Sequence, residues 1–232
     1  FVPTTGYSQS PVEQLLPGEK PGGVIQLPNQ WRLDPAGKHF PLGIFPMNMK
    51  ISPDGRYLAV LHCGGGDHEV IVYETHSMRL VSRTILPHAY YGIAFSRKGD
   101  KVLVSGGESE VIWLYVFESG YLHSPKSIRL AEEKEKYVPC GFALSPDQKL
   151  LVVAETWGNR ITIIDLASTA TRAQFLLEPE ARPYDCTFSA DGNLVLVSLW
   201  GKACVQPIAL SERSPRLLER IPTGDHPNEM VL

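Results

Sequence analysis

One short pattern returns four times in this chain and limits its fold more than any other feature. Ser52-Pro-Asp-Gly55, Ser96-Arg-Lys-Gly99, Ser145-Pro-Asp-Gln148 and Ser189-Ala-Asp-Gly192 are spaced 44, 49 and 44 residues apart. One and three positions before each serine stand Ile51 and Met49, Phe95 and Ile93, Leu144 and Phe142, and Phe188 and Cys186. Six and eight positions after it stand Leu58 and Val60, Val102 and Val104, Leu151 and Val153, and Val195 and Val197. Alternation of this kind marks a strand with one buried face. The tetrapeptide between suits a type I turn, because Pro presets φ at the second position and Asp bonds nearby backbone N–H groups. Each repeat therefore opens with a β-hairpin. Two further strands follow in each, at residues 70–73 and 80–85, 111–117 and 127–130, 161–166 and 172–177, and 204–210 and 217–221. Pro207 weakens the third strand of the last repeat, since proline cannot donate to a ladder.

Units of forty-odd residues with four strands apiece are the signature of propeller blades. The expectation is an all-β fold, a β-propeller of four-stranded antiparallel blades, with four complete repeats and partial blades at both ends. Residues 1–23, rich in Pro, Gly, Ser and Thr, read as an arm or linker. Residues 24–42 read as strands that close a blade, including a hairpin around Asp34-Pro35-Ala36-Gly37. The repeats run over 43–87, 88–137, 138–181 and 182–225, and 226–232 begins a fifth copy, with Pro227 where Pro46, Pro139 and Pro183 stand. The longer connection at the end of repeat two accounts for the spacing of 49. Its charged run Ala131-Glu-Glu-Lys-Glu-Lys136 has no apolar face and reads as solvated. A ring of four blades and two fragments is incomplete and leaves open sheet edges, so the natural protein is expected to continue.

Composition narrows the function classes. The 20 Gly and 19 Pro favour many short strands over long helices. A net charge of −3, with no basic stripe, gives no footprint for nucleic acid. No apolar run approaches the length of about 18 residues needed for a membrane span. Cys63, Cys140, Cys186 and Cys204 form no C-x-x-C pair or zinc spacing, and Cys186 sits in the apolar column as a small hydrophobe.

The Ser-Pro-Asp-Gly hairpins, with strands such as Ile161-Thr-Ile-Ile-Asp165, resemble the YVTN/YncE-type β-propellers. A closer resemblance is to the N-terminal propeller of bacterial two-part proteins that join a YncE-like propeller to an alkaline-phosphatase-type phosphoesterase domain. It is carried by Leu27-Pro-Asn-Gln-Trp31, Leu61-His-Cys-Gly-Gly-Gly-Asp-His68, Ser105-Gly-Gly-Glu108, Ser198-Leu-Trp-Gly-Lys202 and His226-Pro-Asn-Glu-Met230. Arg97-Lys98 departs from the usual Pro-Asp. The resemblance implies seven blades, an exported protein (secreted or periplasmic), and as partners the remainder of its own propeller and a phosphoesterase domain outside this chain. No cofactor is expected in this chain.

No nucleophile elbow, P-loop or dinucleotide fingerprint is present. His62, Asp67 and His68 bracket a glycine run and read as a hairpin tip rather than a metal cluster. Propeller sites lie where the loops before the innermost strands converge. Those loops carry Asn48, Tyr91, Arg182, Tyr184, Asp185, His226, Asn228 and Glu229, the candidate ligand-binding residues, together with His88, Tyr90 and Tyr137. Trp157 and Trp200 stand at equivalent tips and read as caps on neighbouring blades or as an aromatic contact surface. Three functions follow as expectations: a non-catalytic module presenting ligand to a phosphoesterase domain, a lactonase-like hydrolase with a channel site, or a scaffold for protein or glycan.

Overall fold

The computed structural model describes residues 15–34, 36–37, 40, 42–210 and 214–231. Residues 1–14 of the expected arm, Pro35 of the expected hairpin and Leu232 lie outside them. The chain divides into two units, Phe1–Pro41 and Leu42–Leu232. In the first, strands β1 (Gly18–Glu19), β2 (Ile25–Gln26) and β3 (Arg32–Leu33) form one antiparallel sheet. The arm thus contributes a strand, and β3 pairs with β2, while Lys38, His39 and Pro41 of the expected hairpin also lie outside the described residues.

The second unit is a β-propeller segment of four blades. Blade one is β4 (Pro46–Ile51), β5 (Tyr57–His62), β6 (His68–Glu74) and β7 (Leu80–Leu86). Blade two is β8 (Ile93–Phe95), β9 (Lys101–Ser105), β10 (Val111–Glu118) and β11 (Tyr121–Arg129). Blade three is β12 (Pro139–Leu144), β13 (Leu150–Glu155), β14 (Arg160–Asp165) and β15 (Thr171–Leu176). Blade four is β16 (Pro183–Phe188), β17 (Leu194–Leu199), β18 (Cys204–Ala209), β19 (Arg216–Leu217) and β20 (Ile221–Pro222). Each sheet is antiparallel and its strands lie in sequence order, except that β19 and β20 both pair with β18. The fourth strand of blade two spans nine residues rather than the expected four. The charged run after it carries a 3-10 turn at Glu133–Glu135 with no buried residue.

The serine of each turn explains its own recurrence. Ser52, Ser145 and Ser189 donate from Oγ to Asp54, Asp147 and Asp191 at 2.5–2.6 Å. The same oxygens accept the N–H groups of Tyr57, Leu150 and Leu194 at 2.9–3.0 Å. Repeat two lacks the Asp, and Ser96 donates instead to Asp100 at 2.7 Å while accepting Lys101 N–H. Ser145 is 3% exposed. Ser145→Ala is therefore expected to lower the unfolding free energy by about 1–2 kcal/mol, read from urea midpoints, because the Leu150 and Lys149 donors lose a buried acceptor.

The apolar columns meet between blades. Ile93 packs among Leu61, Val70 and Val72 of blade one. Phe142 and Val153 pack on Leu103 and Ile112 of blade two, and Cys186 and Val197 on Ala154 and Ile161 of blade three. Each such side chain contributes on the order of 1.5–3 kcal/mol when fully buried. Blade one keeps the expected column, with Met49 opposite Val60 and Ile51 opposite Leu58. Met49 and Ile51 are nevertheless 54% and 61% exposed, since this face is turned away from blade two.

Pro207 breaks the last blade as its chemistry requires. Opposite residues 206 and 207 of β18 the outer strand carries three residues, 218–220, so the expected continuous strand at 217–221 splits around a bulge. The buried Gln206 amide donates to Leu218 O at 2.8 Å, supplying the donor that proline lacks. Arg220 binds Gln206 Oε1 and grips Glu178 through two bonds of 2.5 and 2.6 Å. That grip brings the Glu178 carboxyl down to about 2.

Candidate functional site

Four equivalent positions bend the chain onto the blade tops. Phe45, Val138, Arg182 and His226 each precede a proline and each has φ between 47° and 56°. Proline disfavours the right-handed helical region for the residue before it, and the left-handed region is strained for any residue with a Cβ. The strain is held by the blade itself. Phe45, Val138 and Arg182 accept, at their carbonyls, the N–H groups of Cys63, Thr156 and Trp200 from the end of the second strand. Blade two has neither the proline nor the positive φ.

This bend sets Arg182 and His226 against the two tryptophans. The Arg182 guanidinium carbon lies 6.0 Å from the Trp157 ring centre and 5.7 Å from that of Trp200. His226 stacks on Trp200 at 4.1 Å and 20°, with Nδ1 3.1 Å from Trp200 O. Trp157, Arg182, Trp200, Tyr90, Tyr184 and Thr156 line a cleft of about 280 Å3. A second cleft, of about 580 Å3, shares Tyr90 and Trp157 with it and extends to Phe45, Met47, His68 and His88. In that cleft His68 Nδ1 accepts Ala89 N–H at 2.7 Å, which leaves Nε2 to carry the proton of the neutral ring. Burial lowers the pKa of His68, favouring that neutral form, and the His88 ring meets it edge-on.

Next to the smaller cleft the inner strands close on one another. The position four before each repeat serine holds Asn48, Gly92, Gly141, Asp185 and, in the last segment, Glu229. Asn48 Nδ2 donates to Tyr91 O of blade two at 3.1 Å. At Gly92 and Gly141 the next strand comes so near that a Cβ would stand 2.5 Å from Cys140 O or Tyr184 O. Asp185 accepts Met230 N–H at 3.4 Å, and Glu229 meets Lys50 of β4 at 3.0 Å. The Tyr91 and Tyr184 rings are 4.9 Å apart, and burial pushes both phenols up.

Burial raises Asp185 to about 6, with Glu229 adding to the shift and Lys50 and two backbone donors opposing it. A carboxyl held above its unfolded value of 3.8 favours the protonated fold, and that contribution fades as pH rises through about 6. Asp185→Asn, which resembles the protonated form, is therefore expected to gain stability over wild type between about pH 4 and about pH 7.5. Urea midpoints at the two ends check this, and an equal gap at both would contradict it.

The expected residues thus separate into two groups. Asn48, Tyr91 and Asp185 belong to the junction of the inner strands, and Glu229, half exposed, reaches Lys50 beside it. Arg182 and Tyr184 line the smaller cleft, His226 stacks on Trp200 of that cleft, and Asn228 is exposed. Tyr137 lies under Arg160 at 3.9 Å and serves the blade interior. His62 and His68 do not converge. His62 pairs in register with Glu69, the neighbour of His68, so the two rings leave opposite faces of the blade. Lys50, which meets Glu229, and Glu180, whose carboxylate lies 2.6 Å from the Arg182 guanidinium, were not expected. Lys50 could have been found, because it lies two positions from Asn48 on the same face.

No sequence-family profile and no curated protein sequence matches this chain. Solved structures do. The periplasmic gluconolactonase of Pseudomonas aeruginosa superposes with a TM-score of 0.64 at 16% identity, over 87% of this chain and 63% of that one. The virginiamycin B lyase of Staphylococcus aureus gives 0.62 at 17%, over 86% and 62%. Hydrazine synthase of Kuenenia stuttgartiensis gives 0.61 at 19%, over 80% and 53%. What these likenesses show is the fold. The chain spans less than two thirds of the length of each of these structures. No helix among the described residues is long and apolar enough to cross a membrane.

Proposed function

We propose that this chain is a non-catalytic binding module, part of a propeller whose blade tops hold a small ligand for chemistry carried out elsewhere. Two neighbouring clefts carry this reading. They share Tyr90 and Trp157 among their lining residues, and together their walls come from all four blades. The groups lining them are suited to contact rather than attack. Burial pushes the Cys63 thiol up, and the Thr156 hydroxyl is spent on Pro183 O at 2.6 Å. The resemblance to YncE-like propellers joined to a phosphoesterase supports such a domain, outside residues 1–232, as the partner that uses the ligand. It likewise supports an exported protein completed by further blades.

A thermal-shift screen of wild type and Trp157→Ala against sugar lactones, sugar phosphates and small aromatic acids tests the reading. A compound that raises the Tm of wild type, fails to raise that of the variant and is recovered unchanged is the expected result. The absence of any such compound would count against a ligand site in these clefts. A reading frame that stops soon after codon 232 would remove the phosphoesterase partner.

A second reading, a lactonase-like hydrolase, is favoured by Asp185, whose pKa of about 6 suits proton transfer near neutral pH. A gluconolactonase among the similar structures agrees with it. Lactone turnover with a pH limb near 6 that disappears in Asp185→Asn and falls in Glu229→Gln would replace the first reading with this one.

A further inference from the structure

We propose that the Trp157–Arg182–Trp200 cleft takes a planar aromatic anion, and that Glu180 occupies the anion's place until the ligand arrives. The inference rests on the cleft being a binding site and adds its ligand class. Trp157 is 67% exposed at the tip of blade three and offers an indole face. The Arg182 guanidinium stands within reach of both indoles and supplies a fixed fork of donors beside them. An aromatic ring can stack on Trp157 while a carboxylate or phosphate attached to it meets Arg182. Tyr90 and Tyr184 complete the walls, and a cleft of about 280 Å3 has room for one such ring.

The present partner of Arg182 is Glu180, whose Oε2 lies 2.6 Å from Nη2. The two side chains are 41% and 69% exposed, so the pair is a surface ion pair of small net value. Glu180 can move into water when another anion takes the guanidinium. The carboxylate thus acts as an internal competitor two residues from the group it occupies. A neutral aromatic ligand does not contest this ion pair and gains only the stacking.

Ligand-detected NMR titrations with phenyl phosphate, benzoate and phenol test the proposal on the folded chain and three variants. Phenyl phosphate or benzoate is expected to bind wild type at least about tenfold more tightly than phenol, as one charge-assisted hydrogen-bonded contact allows. The better of the two anions identifies the head group. Glu180→Gln should tighten anion binding about threefold and leave phenol unchanged, the scale of a surface ion pair removed from competition. Arg182→Met should abolish the advantage of the anions, and Trp157→Ala should weaken all three ligands about fivefold through lost stacking. Phenol binding as well as the anions, with sensitivity to Trp157→Ala, would overturn the ligand class while leaving the cleft as a site. No binding of any of the three compounds, or no response to Glu180→Gln and Arg182→Met, would overturn the proposal outright.

Discussion

Glu155→Leu is expected to lower the unfolding free energy by about 3–5 kcal/mol, among the largest effects of any single substitution in this chain. Glu155 is fully buried at the end of β13. Its Oε1 accepts Arg160 Nε at 3.0 Å, and its Oε2 accepts Nη2 at 2.5 Å. The Thr162 hydroxyl donates to the same carboxylate. Burial raises the carboxyl against the pull of these three donors. Removing it leaves the guanidinium, whose side chain is 14% exposed, with Leu130 O at 3.3 Å and the face of Tyr137 as its remaining contacts. A buried cation without its counter-charge is the costly state, and the pair as such is not. The double variant Glu155→Leu, Arg160→Met should therefore recover most of the loss. Urea midpoints of the two variants decide the matter. A single variant within about 1 kcal/mol of wild type would show that Arg160 finds other solvation.

Gly141→Ala carries the second large effect. The added Cβ would stand 2.5 Å from Tyr184 O, 2.6 Å from Asp185 Oδ1 and 2.7 Å from Asp185 Cα. Two of these atoms are backbone of the neighbouring inner strand, so relief requires β12 and β16 to separate. Overpacking of this kind costs about 1–3 kcal/mol. The shift passes to Tyr184, which lines the smaller cleft, so ligand affinity should fall together with stability. Gly65→Ala is the control, because a Cβ there meets nothing within 4 Å. It should remain within about 0.5 kcal/mol of wild type. Equal midpoints for the two variants would mean that the inner strands are not in close contact.

The turn serine and its aspartate shaped the sequence reading most, because their hydrogen bonds are local and recur wherever the residues do. Even the departure at Arg97-Lys98 left Ser96 an aspartate within four residues. The split opposite Pro207 was half legible: a missing N–H predicts a defect, while the Gln206 side chain that fills it depends on the facing strand. The exposure of Met49 and Ile51 was not legible, since alternation shows which residues share a face and not what lies against it.

The amino-acid sequence by itself determined the blade. Period-two alternation, turn chemistry and a repeat near 44 residues act within a hairpin and need no distant partner. Only the tertiary structure decided the site. Trp157 and Arg182, like Lys50 and Glu229, come from different blades or chain segments and meet through the angle at which sheets pack around an axis. That angle is set by side chains filling the space between blades, a collective property of volumes that no single repeat encodes. The same packing separated the candidate residues between the junction of the inner strands and the neighbouring clefts.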